Sequence, residues 1–141
     1  MNKDFERAKK LLKAGKYTCV LCKGEQVYTS CRRGVAPLLD WLEQGNDYTG
    51  FCAADKVVGR AAAFLYQMMG VTRLYAEVVS QLALEVLEQS GIACEYGQLV
   101  PAIRNRSGDG FCPMESAVRE LNEPEKALAA IKQTQKNFLG R

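Results

Sequence analysis

The spacing of hydrophobic positions changes along the chain, and each change marks an element. Residues 4–14 put Phe5, Ala8, Leu11 and Leu12 on one face and Lys9, Lys10 and Lys13 on the other, the spacing of an amphipathic helix. Gly15 ends it. Residues 17–22 and 26–31 are rich in β-formers and flank Lys23-Gly24-Glu25, which predicts a β-hairpin. Pro37 opens a short helix over 38–43, with Gly45 past its end and Trp41 as a core or interface anchor among Leu38, Leu39 and Leu42. A strand is predicted over 48–53. Asp55 then stands as N-cap of a helix over 56–69, apolar almost all round, whose Ala61-Ala62-Ala63 run suits close packing on a sheet.

Residues 73–79 form the next predicted strand. Ser80 caps a helix over 81–89 that turns Leu82, Val86 and Leu87 inward and Glu85, Glu88 and Gln89 outward, with Gly91 as its stop. Residues 93–103 hold one or two strands. A polar loop with glycines, 104–110, leads into Cys112-Pro113-Met114-Glu115 and a helix to about residue 121. Asn122 and Pro124 break the chain before a last amphipathic helix over 125–138. Strands alternating with helices after a hairpin predict a single α/β domain over 1–141, with a mostly parallel sheet covered on both faces. Ligands of such sheets bind outside the carboxyl ends of the strands. That rule makes Asp55, Lys56 and Ser80 candidate neighbours.

Composition removes whole classes of chemistry. Among 141 residues there are six cysteines and no histidine. A Ser-His-Asp triad, a Cys-His pair and any His-containing metal site are excluded. Catalysis, if present, rests on Cys, Asp, Glu, Lys, Arg, Tyr, Ser or the backbone. The cysteines are dispersed, and most sit in apolar, strand-like surroundings, where a free thiol behaves as a small hydrophobe. Cys19 and Cys22 lie three apart on a predicted strand, so they point to opposite faces, and no second Cys-x-x-Cys completes a metal site. The net charge of +3 is too small for a nucleic-acid footprint. No apolar run approaches the ~20 residues that span a bilayer, and the N-terminus has no apolar leader. The expectation is a cytoplasmic protein with reduced cysteines and no membrane, specific nucleic-acid, metal or cofactor partner.

Two local groups carry candidate chemistry. Pro113 at the first helical position makes Cys112 the N-cap and sets Glu115 to reach back to the cap N–H. A thiol there has its thiolate favoured by the helix dipole, and the preceding Ser107-Gly108-Asp109-Gly110 loop has room for a ligand's backbone or phosphate. Cys112 reads either as a nucleophilic or ligand-binding thiol or as an ordinary helix start. Lys56 suits an anion, and Asp55 suits a base or an orienting group for a ligand hydroxyl. Asp55 equally reads as a plain cap worth ~1 kcal/mol. Arg32-Arg33-Gly34 suits a phosphate contact but reads first as a solvated turn.

The element order resembles the cytidine deaminase-like fold, a three-layer α/β/α sandwich. Residues 74–92, from Leu74-Tyr75-Ala76 to Gly91-Ile92, resemble the deaminase strand and helix that carry Pro-Cys-x-x-Cys, and the two zinc cysteines fall on Ser80 and Ala83. Asp55-Lys56 falls where deaminases carry His-Ala-Glu. Zinc deamination needs three N or S ligands and a proton-shuttling carboxylate, so the resemblance implies the fold without the metal. More specifically, the chain resembles a small prokaryotic family of unknown function placed in that fold. The residues that carry this likeness are Asp55-Lys56-x-x-Gly59-Arg60-Ala61-Ala62-Ala63 and Cys112-Pro113-Met114-Glu115. It covers most of residues 5–120 and leaves the helix over 122–141 outside. The expected function is binding of a small polar or nucleotide-like ligand at the strand ends. Cys112, Asp55 and Lys56 are the candidate catalytic groups, and Ser80, Glu115, Gly110 and Arg60 the candidate ligand-binding ones. The alternative is a non-catalytic regulatory or oligomerising module with a degenerate site.

Overall fold

The computed structural model describes residues 2–103 and 112–139. Its elements run α1 (Asn2–Lys13), β1 (Cys19–Lys23), β2 (Gln26–Ser30), α2 (Ala36–Gln44), β3 (Cys52–Val58), α3 (Arg60–Met69), β4 (Arg73–Ser80), α4 (Gln81–Gln89), β5 (Ala93–Val100), α5 (Pro113–Val118) and α6 (Pro124–Leu139). The strands form one sheet in the order β2-β1-β3-β4-β5. β1 runs antiparallel to β2 and β3, while β3, β4 and β5 are parallel. The hairpin closes through a two-residue turn with Gly24 at φ 58°, a left-handed conformation that a glycine at the first turn position adopts without strain.

Alternation along the strands divides the core in two. Cys19 and Leu21 join the larger cluster, with buried residues of α2, α3, α4, α5 and α6. Val20 and Cys22 point the other way, with Cys52, Ala54 and Tyr75, and meet Phe5, Ala8 and Leu12 of α1. Cys19 and Cys22 therefore occupy opposite faces. The sheet is covered on both sides, but unequally: five helices on one face and α1 on the other among the described residues. Lys9 ties α1 to the sheet edge through an ion pair with Glu95 and lies over the Tyr75 ring. Arg73 stacks on Phe5 at 4.0 Å.

Two sequence expectations are corrected. The strand predicted over 48–53 sits instead at Cys52–Val58, so Asp55 is in mid-strand and does not cap a helix. Cross-strand pairing decides this: β3 lies between β1 and β4, and its backbone is paired with β4 as far as Val58. The helix starts at Arg60, with Gly59 as its N-cap. The last helix also belongs to the core, since Ala127 and Ile131 are fully buried.

Phe5 is the largest buried side chain that α1 contributes. Phe5→Ala is expected to destabilise the fold by about 3–5 kcal/mol, read from urea unfolding, because it removes the largest buried side chain that α1 packs on this face of the sheet.

Candidate functional site

α3 begins without a side-chain cap of its own, because Gly59 supplies none. Its first turn is satisfied from another element. The Ala61 amide donates to Glu115 Oε1 at 3.2 Å. Gly59 makes the approach possible, since a Cβ there would stand 2.0 Å from that oxygen. Its φ of −99° is ordinary, so the need for glycine is purely steric. Arg60 answers in the opposite direction. Its Nε donates to Val118 O at 3.1 Å, and its Nη2 donates to Leu121 O at 2.5 Å and Asn122 Oδ1 at 3.0 Å. These bonds close the carbonyls at and just beyond the end of α5.

Where α3 meets α5, a cleft of about 440 Å³ opens at the end of β3. Its lining includes Asp55, Lys56, Gly59, Cys112 and Glu115, with Arg33 from the turn before α2. Asp55 is only 6% exposed. Tyr66 of α3 donates to Asp55 Oδ2 at 2.7 Å. Cys19 Sγ lies 3.1 Å from Tyr66 Oη. The single phenolic proton goes to Asp55, so the Cys19 S–H is the donor to Tyr66. Burial pushes Asp55 up to about 7, against the opposing pull of the Tyr66 bond and nearby backbone amides. Burial also raises Tyr66 and Cys19, and Glu115, whose shift is opposed by the Arg60 and Ala61 amides and the Arg60 charge. A second cavity of about 340 Å³ also borders Glu115, between α4 and α5.

Sequence candidates divide accordingly. Asp55, Lys56, Cys112 and Glu115 all line the cleft. Arg60 does not, because its guanidinium is spent on the end of α5. Ser80 is fully buried, and its Oγ accepts from the Ala83 amide at 3.1 Å as a true N-cap. Gly110 lies outside the described residues. Glu115 was expected to cap its own helix but caps α3 instead, while the Cys112 amide donates to Ile103 O at 3.1 Å. Arg32 is held by Asp40, leaving Arg33 of that turn at the cleft. The sequence reading did not find Tyr66, Cys19 or the steric role of Gly59. A tyrosine inside an all-apolar helix does signal a buried hydroxyl in need of a partner.

The fold and its cleft define an α/β protein with one five-stranded sheet and six helices among the described residues. The chain belongs to the family described as a domain of unknown function, DUF1893, which matches residues 7–135. That match takes in most of α6, so the last helix is within the family's extent. A crystal structure of a DUF1893 family protein (TM1506) from Thermotoga maritima, at 2.70 Å resolution, has the same fold. Its TM-score is 0.84 over 97% of this chain and 91% of that one, at 23% identity. No curated protein matches the chain.

Two measurements probe the site. Gly59→Ala should cost about 1–3 kcal/mol, and the cost should largely vanish in a Glu115→Ala background, where the clashing oxygen is gone; additive losses would refute the steric account. Asp55 releases its proton near its ordinary 3.8 when unfolded but near about 7 when folded. The folded state is therefore the more protonated between those values, and stability falls as pH rises through that window. Asp55→Asn should remove that fall, worth up to about 4 kcal/mol, in unfolding curves taken across it.

Proposed function

We propose that this protein is a zinc-free member of the cytidine deaminase-like fold class that binds a small polar or nucleotide-like ligand in the cleft between β3, α3 and α5. The carrying observation is that two sequence-distant segments, Asp55-Lys56 and Cys112 to Glu115, border one ligand-sized cavity. Support for the fold class comes from the strand order, the antiparallel β1 and the parallel β3-β4-β5 run with α3 and α4 between them. The residues where that fold carries zinc ligands do not fit the metal. Ala83 has no donor atom, Ser80 Oγ is engaged by the Ala83 amide, and Asp55 is held by Tyr66.

Among the described residues, any chemistry in the cleft then falls to Asp55, Lys56 and Cys112. Of the six cysteines, Cys112 is the one that lines it, half-buried. A ligand seated there covers this thiol. In a thermal-shift panel of nucleotides, nucleosides and sugar phosphates, at least one should raise the melting temperature and slow iodoacetamide labelling of Cys112, mapped by mass spectrometry. Exposed Cys31 serves as the internal control. No shift across the panel would count against the reading.

A second reading, an oligomerising module, draws on β5. This edge strand bears Tyr96 and Leu99, each 41% exposed, and contains no proline or lysine to discourage pairing. A stable oligomer by light scattering, together with a silent panel, would favour it.

A further inference from the structure

The charged groups that line the cleft are graded in burial. The most buried is Asp55, and further out stand Lys56, half-buried, and Arg33, exposed. Neither cation is spent in an ion pair among the described residues. Asp55 Oδ2 accepts from Tyr66, Tyr66 in turn accepts from Cys19, and the adjacent Lys56 and Val57 amides and the Cys19 thiol also favour the ionised carboxylate. A carboxylate has acceptor capacity for more than one such bond.

We propose that the cleft takes its ligand head-first: an amine or ring N–H against the Asp55 carboxylate, and a single phosphate tail between Lys56 and Arg33. The ligand is a phosphorylated small molecule of nucleoside monophosphate size. This assignment rests on the ligand-site reading above and adds the orientation and the role of each group. Tyr66 is a positioning residue: it holds Asp55 Oδ2 and so fixes the carboxylate's orientation at the cleft wall. Because a charge-assisted bond needs the ionised carboxylate, head recognition is coupled to the Asp55 proton. Affinity for the head is lost as pH falls below the neutral range, where Asp55 becomes protonated. The other titratable or charged groups facing the same space are Tyr66 and Cys19 behind Asp55, Lys56 and Arg33 outside it, and Cys112 and Glu115 across the cleft.

Calorimetric titration of the full chain with adenosine 5′-monophosphate, ribose 5-phosphate and adenosine tests the assignment. The ratio of the two phosphates' affinities isolates the head, because the phosphate's own titration cancels. At about pH 8 the monophosphate should bind about tenfold or more tighter than ribose 5-phosphate, and the ratio should fall toward one at about pH 5.5. In Asp55→Asn the ratio should no longer depend on pH. Lys56→Gln should weaken both phosphates and leave adenosine unchanged. If Asp55→Asn does not fold, Tyr66→Phe carries the test. It keeps the ring but removes the bond that holds Asp55 ionised, so the midpoint of the ratio should move to higher pH. Equal binding of the two phosphates at both pH values overturns the head-first assignment and leaves the cleft reading standing. A ratio that rises as pH falls also overturns it, because the head would then be an acceptor taking a proton from Asp55. Absence of binding by all three probes overturns both.

Discussion

α3 and α5 hold each other by their ends, and the cleft depends on that exchange. The Glu115 carboxylate sits on the amide-rich start of α3, and the Arg60 guanidinium sits on the carbonyl-rich end of α5. Each charge has the sign that the helix dipole favours at that terminus. Arg60 and Glu115 are both buried, so the bonds act in a medium that screens them weakly. Gly59 is the spatial condition for all of it, because any side chain there would occupy the place of the carboxylate. Through this clasp α5 becomes one wall of the cleft, and α6 packs behind it with Ala127 and Ile131 in the shared core.

Against that stabilising clasp stands a costly group. Asp55 is buried among apolar neighbours, and only hydrogen bonds, from Tyr66 and from adjacent amides, make its charge tolerable. An apolar residue in mid-strand would serve the core better, as Ala53 and Val58 do on either side. A buried carboxyl balanced between its two protonation states at the wall of a ligand-sized cavity is the local conflict that binding sites tend to retain.

Much of this fold was legible in the residues, and the reason is periodicity. The Phe5, Ala8 and Leu12 stripe, the alternation through Cys19 to Cys22 and the Ser80 cap each reflect interactions within a few residues, and each appears as read. Half of the site was legible too. Asp55, Lys56, Cys112 and Glu115 stood out as polar groups at helix starts or strand ends, and all four line the cleft. Their assigned local roles failed for Asp55 and Glu115, because a short acidic side chain near a helix start reads as a cap whatever it eventually bonds. Arg60 looked like a ligand group because a cation in an apolar stretch has no local partner, and its partner lies beyond the end of α5.

By itself the sequence determined the types and order of the elements, the single sheet and, through the missing histidine, the exclusion of imidazole chemistry. These follow from side-chain period and composition, which need no knowledge of what lies across space. Only the tertiary structure decided how far β3 extends, since pairing with β4 as far as Val58 makes that stretch strand and not the start of a helix. Only it decided that Glu115 caps α3, that Gly59 must stay small and that Tyr66 and Cys19 stand behind Asp55. A polar side chain takes the nearest partner in three dimensions, and for these residues that partner is far away along the chain.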